Sequence, residues 1–199
     1  MNLSRNVIVF LGGGLVVLGL AQPAAAQRMG KGEFSAGYQL LNLSVDGESE
    51  SLSKGWYVDV VGNLTKMIGV AVEVGGSYKT ITESATAGGI TATATADFKV
   101  HEFMGGIRAT SRSNPTVAPF GQVLVGAMNG SFTVSGSAPG QSFSFSDSGT
   151  NFALQLGGGV NIGVADKVGV RIGADYVRIF EEGGGANAFR FGVGVNVPF

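Results

Sequence analysis

Over residues 189–199 the odd positions are apolar (Phe189, Phe191, Val193, Val195, Val197, Phe199), and the even ones are polar, small or proline (Arg190, Gly192, Gly194, Asn196, Pro198). Alternation at period two puts the two sets on opposite faces of a strand, each suited to a different surrounding. The same pattern recurs along the chain and predicts eight strands, near 33–43, 54–64, 67–80, 97–110, 118–133, 150–163, 167–180 and 187–199. The connections alternate in character. Those at 65–66, 111–117 (with an Asn114-Pro115 turn) and 164–166 are short, and those at 44–53, 81–96, 134–149 and 181–186 are longer or flexible. Strands of this spacing, each able to hairpin onto the next, imply an all-β, antiparallel up-and-down sheet with turns at one end and loops at the other.

The composition of the two faces decides what surrounds them. One set is consistently apolar, as in Val58 and Val60, Val70, Val72 and Val74, Leu154 and Leu156, or Val168, Val170 and Ile172. The other carries Gln39, Asp59, Asn63, Glu73, Glu102, Arg108, Gln155, Asn161, Arg171, Asp175, Arg190 and Asn196, with glycines between. A soluble sandwich encloses its apolar face, so an enclosed polar face and an apolar exterior point to an eight-stranded transmembrane β-barrel. Closure is obligatory there, because an unpaired amide or carbonyl in hydrocarbon costs several kcal/mol. Trp56, Tyr78, Phe152, Tyr176 and Phe180 would form an aromatic girdle at the loop end, with Phe34 and Phe199 at the turn end. The stretch 118–133 alternates poorly, and its register stays open.

Eight strands enclose a space just wide enough to be filled by side chains. Four acids (Asp59, Glu73, Glu102, Asp175) and three arginines (Arg108, Arg171, Arg190) share it. Buried charges must be paired, so an ion-pair network plugging the lumen is expected. A narrow gated pore lined by the same residues is the alternative. Counting from the turn end puts Asp59, Glu73 and Arg171 at one depth, with Glu102, Asp175 and Arg190 above them. Inner-face glycines (Gly69, Gly75, Gly106, Gly157, Gly159, Gly169, Gly173) would make room for large neighbours.

Composition agrees with a membrane location. The chain has 34 glycines and only 14% charged residues, with a mean hydropathy of +0.28. Residues 1–26 read as a cleaved signal peptide: Arg5 in the basic region, an apolar stretch over 7–20, and a small-residue site with Ala24 and Ala26 before Gln27. A single domain, 27–199, remains. Losing Arg5 leaves 12 basic residues against 14 acidic ones, a net charge of −2. There is no basic run for nucleic acid, and with no cysteine there is neither a lipid-anchored cysteine nor a disulfide framework.

Candidate chemistry is sparse. His101, the only histidine, takes the outward face near the loop end. A serine at a spacing that would share its face is missing, which argues against a lipid-modifying enzyme, the third reading after surface protein and channel. The Gly-Gly-Gly runs at 157–159 and 183–185 lack the lysine and hydroxyl of a phosphate loop. Glu48 with Glu50, and Glu181 with Glu182, lack the spacing of a calcium site. No cofactor, metal or catalytic constellation is expected. In the longer loops Thr91, Thr93 and Thr95, and Ser142, Ser144 and Ser146, alternate with apolar residues. That pattern allows strands continuing above the membrane, whose edge could add a partner's strand. The other reading is a flexible loop.

The 189–199 strand resembles the assembly signal of bacterial outer-membrane proteins. Arg171-Ile-Gly-Ala-Asp-Tyr-Val177 and Pro119-Phe-Gly-Gln-Val-Leu-Val-Gly126 resemble segments of the small eight-stranded porin-like, opacity and OmpA-type barrels. The resemblance spans the mature chain and marks architecture more than activity. It implies periplasmic chaperones, insertion by the β-barrel assembly machinery and contact with outer-membrane lipids. No peptidoglycan-binding domain follows the barrel, so a cell-wall tether is not expected. The combined expectation is a monomeric, non-enzymatic outer-membrane barrel with a structural or adhesin-like role towards an extracellular protein or other surface ligand.

Overall fold

The computed structural model describes residues 30–45, 48–88, 90–114, 116–181 and 184–199. The expected leader and its cleavage residues Ala24, Ala26 and Gln27 lie outside the described residues. The strands are β1 (Gly32–Val45), β2 (Glu48–Leu52), β3 (Lys54–Asn63), β4 (Ile68–Ala87), β5 (Ile90–Thr110), β6 (Val117–Ala138), β7 (Gln141–Ala165), β8 (Val168–Glu181) and β9 (Gly184–Pro198). All neighbours are antiparallel, and β1 also pairs with β9, so the sheet closes on itself.

There are nine strands where eight were expected, yet the ring has eight positions. β9 occupies one edge of β1 from Glu33 to Ser44, so β2 and β3 share the other. Tyr38 pairs with Trp56 and Leu41 with Leu52. Between these pairs, two residues of β1 face three of the partner, which is a one-residue bulge at the β2–β3 junction. The Tyr38 hydroxyl donates to the Ser53 carbonyl there. Closure reaches the last residue: Phe199 N–H donates to the Gly32 carbonyl at 2.9 Å and Gly32 N–H to the Phe199 carbonyl at 3.0 Å.

The connections at one end are tight and locally satisfied. Thr65 Oγ1 accepts from the Ile68 amide at 2.9 Å, and Asn114 Oδ1 accepts from the amides of Thr116 and Val117 at 2.8 and 3.0 Å, as turn-forming side chains do. At the other end, 81–87 with 90–96 and 134–138 with 141–149 are strand, the continuation that their alternation allowed. β4 stays paired with β5 as far as Ala87↔Ile90, and β6 with β7 as far as Ala138↔Gln141. The β6–β7 tip is Pro139-Gly140, with Gly140 at φ 77°. Proline then glycine at positive φ is the combination a type II turn uses. β5 pairs with β6 up to Thr93↔Ser137, so β4 to β7 rise beyond the ring as one four-stranded sheet. Its edges are bare: β3 leaves β4 at Tyr78 and β8 leaves β7 at Phe152.

The two faces exchange polarity where this sheet emerges. On β5 the outward row runs Ile107, Gly105, Phe103, then His101, Lys99, Asp97, Thr95 and Thr93, while the inward row runs Arg108, Gly106, Met104, Glu102, then Val100, Phe98, Ala96 and Ala94. The register partners of His101 repeat the change: outward Ala127 gives way to Asn129 on β6, and Phe152 to Thr150 on β7. Lipid-facing residues must be apolar and water-facing ones polar, so this row marks the edge of the hydrocarbon. Beyond it the outward hydroxyls pair across strands, as in Ser84–Thr93 at 3.0 Å and Thr86–Thr91 at 2.9 Å.

The open register of 118–133 is now fixed. Burial alternates without a break from Val117 to Val125, so Val117, Val123 and Val125 face out and Ala118, Phe120, Gln122 and Leu124 face in.

Candidate functional site

The structure turns all seven charged residues of the sequence reading into the lumen and buries them. They form two clusters. In the first, Asp59 receives Arg108 Nη2 at 2.8 Å and Arg171 Nη1 at 3.1 Å. In the second, Arg190 sits at the centre of three carboxylates, Glu73, Glu102 at 2.8 Å and Asp175 at 2.7 Å. Glutamines add to the same oxygens that Arg190 reaches: Gln39 donates to Glu102 Oε1 at 2.9 Å and Gln155 to Glu73 Oε1 at 3.1 Å. Charges this deeply buried persist only when paired and hydrogen-bonded on all sides.

The ion pairs follow the grouping expected from counting along each strand for Arg171 with Asp59 and for Glu102 and Asp175 with Arg190, whereas Glu73 reaches Arg190 although Asp59 and Glu73 are register partners. Barrel strands are tilted, so partners in one hydrogen-bonded row sit at different heights and reach different neighbours. Two inner glycines answer to this network. A Cβ at Gly75 would lie 2.4 Å from Glu102 Oε1, and one at Gly157 would lie 1.9 Å from Asp175 Oδ1.

Several residues of the plug escaped the sequence reading. Gln122 joins the clusters: its Oε1 accepts from Arg108 Nε at 2.9 Å, and its Nε2 donates to Asp175 at 2.7 Å. Phe120 lies beneath two guanidiniums, Arg171 at 4.0 Å and Arg108 at 4.9 Å from its ring centre, a cation–π arrangement. Both sit on β6, where the broken alternation hid which face was enclosed. At the turn end Arg112 crosses the opening to Glu33 and to Asn63 Oδ1 at 3.1 Å. Glu33 begins the inward set of β1 and was readable by parity alone.

The enclosed face is not polar throughout, contrary to expectation. Moving two residues towards the loop end from a polar plug residue reaches an apolar one: Gln39 to Leu41, Gln155 to Ala153, Asp175 to Val177, Arg190 to Ala188. These, with Leu52, Met128 and Ile179, form a buried apolar layer over the ions. The void among Tyr57, Glu73, Phe120 and Arg190 measures about 10 Å³, about the least that holds one water.

On the outer surface Trp56, Phe152, Phe180, Phe34 and Phe199 are exposed, with Phe152 and Phe180 rings 5.7 Å apart. Tyr176 packs on Phe189 and donates to Asn187 at 2.7 Å. Trp56 Nε1 donates to the Tyr78 hydroxyl at 3.2 Å, and that hydroxyl bonds His101 Nε2 at 3.1 Å. The described polar contact of His101 is thus with an aromatic hydroxyl. Glu50 is bound to Lys79, and Glu181 accepts from Asn151 at 3.0 Å. Among the described residues no group of three or more histidine or acidic side chains converges as metal ligands do.

Comparison with known proteins agrees with this architecture. Residues 13–199 match the family described as outer membrane protein beta-barrel domain. No curated protein sequence matches the chain. Among solved structures it is similar to the attachment invasion locus protein Ail of Yersinia pestis, crystallised with the heparin analogue sucrose octasulfate. The TM-score is 0.55 at 19% identity, covering 84% of this chain and 98% of that one. It is also similar to Neisserial surface protein A, with a TM-score of 0.51 at 15% identity, covering 85% and 97%. At these identities the likeness is one of fold. With a family match spanning nearly the whole sequence, the chain belongs to the outer membrane protein beta-barrel domain family and is a protein of the bacterial outer membrane.

Proposed function

We propose that this protein is a sealed, non-enzymatic barrel that presents its projecting sheet to the cell exterior as a surface-interaction module. The observation that carries this reading is the four-stranded extension of β4 to β7, paired on one side only along 79–87 and 141–151. A bare edge offers a row of amides and carbonyls to an extended segment of another protein. The sheet stands on a lumen filled by the ion clusters and capped by apolar side chains, which speaks against a conduit. His101 is engaged by Tyr78 and has no serine among its described partners, which speaks against acyl-transfer chemistry.

The partner is expected to be protein and not a sulfated polysaccharide. Ail was crystallised with a heparin analogue, but the projecting region here carries Glu50, Glu83, Asp97, Asp147 and Glu181 against Lys54, Lys79, Lys99 and Arg178, a poor surface for a polyanion. The barrel would be inserted as a monomer by the family's assembly machinery. Cells displaying the protein should adhere to immobilised extracellular-matrix proteins. Replacing Ser144 and Ser146 on the β7 edge with lysine should abolish that adhesion while the folded protein stays at the surface, since edge lysines block strand addition. Adhesion unchanged in the lysine variant would refute the edge as the docking element.

A further inference from the structure

The lumen-ward face of the projecting sheet and the rim of the barrel enclose an open cup whose walls are of two kinds. One cavity, of about 420 Å³, is lined by Leu43, Leu52, Phe98, Val100, Phe132 and Phe145 among others. A second, of about 410 Å³, lies over the apolar layer above the ion clusters and includes Met128, Ile179 and Ala186. They share Leu43, Val100, Gly130, Asp147 and Gly149, so they adjoin along one wall of the cup. Phe143 and Phe145 stand on this face 63% and 61% exposed. Water gains nothing from such a surface, and each cavity lies within the range of about 300–1,000 Å³ typical of small-molecule sites.

The charges of the cup select among apolar occupants. Asp147 on β7 and Glu181 on β8 both line the second cavity, where those two strands part. Neither carboxylate is in an ion pair among the described residues. Asp147 accepts only from its neighbour's amide, at 2.9 Å, and Glu181 from Asn151. Glu83 faces the same side further out. The lysine of this face, Lys79, is already bound to Glu50. Lys99 borders the larger cavity from the outward row of β5.

We propose that this cup binds a small amphipathic cation: an alkyl or aryl body seated on the Leu43–Val100–Ile179 floor, with a protonated or quaternary amine held by Asp147 and Glu181. The aromatic faces of Phe132 and Phe145 add to the attraction for a cation. The same carboxylates repel an anion of equal size.

The test is calorimetric titration of the full-length protein in lipid nanodiscs with octyltrimethylammonium, against empty nanodiscs and against octyl sulfate. Saturable one-site binding of the cation is expected beyond that of empty nanodiscs, with octyl sulfate giving none. Asp147→Asn with Glu181→Gln should weaken it by roughly tenfold, the sum of two partly screened charge contacts. Phe145→Ser should weaken it as well. Both carboxylates are exposed, and a heat-modifiability gel checks that the variants remain folded. Equal binding of octyl sulfate, a signal no larger than that of empty nanodiscs, or an unchanged double variant would each overturn the proposal.

Discussion

Arg190 is the residue on which the interior depends most. It touches Glu73, Glu102 and Asp175 at once, and without it those carboxylates would keep only glutamine partners. Replacing it with methionine retains much of its bulk but strands buried charge, a change that costs about 3–5 kcal/mol. The expected outcome is a fall of that size in unfolding free energy in lipid, read from the denaturant midpoint. Arg178→Met, at a partly exposed position outside the plug, should shift it by less than about 1 kcal/mol. At this scale parity was enough to say that Arg190 faces inward. Counting along the strands grouped it with Glu102 and Asp175 and missed Glu73, because strand tilt makes depth depend on all the intervening strands. Phe120 and Gln122 were hidden for a different reason. Their strand has small or apolar residues on both faces, and an aromatic ring under two guanidiniums looks, in sequence, like any lipid-facing phenylalanine.

The strands themselves carry the polarity exchange that places the membrane. Eight ring positions were legible because every spanning segment except 118–133 holds its alternation across the membrane. The hairpins above stayed open between loop and continuing strand because 81–96 and 134–149 are rich in Ser, Thr and Gly, which mark turns more often than strands. Yet Thr91, Thr93 and Thr95 stay outward in phase with His101, and Phe143 and Phe145 stay inward in phase with Gln155. A change of medium, with the strand unbroken, reverses which face is polar. The bulge between β2 and β3 had no comparable signal, since one extra residue at Ser53 leaves the surrounding pattern intact. Trp56, the only tryptophan, stands at this boundary beside Tyr78. Its fluorescence in bilayers should be quenched most by lipids labelled near the headgroup and least by those labelled at the chain end. The opposite order would place the boundary wrongly.

For the whole molecule, closure and filling act together. β1–β9 pairing removes the sheet edges within the membrane, which hydrocarbon demands, and a ring of eight is narrow enough for side chains to occupy the space inside. The charged clusters then need their partners, and the apolar layer from Leu41 to Ile179 covers them on the loop side. The balance of polar and apolar faces made the inside-out architecture readable from the sequence. The apolar cap was not readable, because the enclosed face was treated as uniform when it changes character near the top of β1, β7, β8 and β9. What the barrel lends the cell, on this account, is a rigid base for the sheet above it and no passage through it. The most direct measurement is single-channel recording of the purified, heat-modifiable protein in planar bilayers. A flat baseline at protein densities confirmed by the gel is the expected result; stable, discrete conductance steps would contradict the sealed lumen.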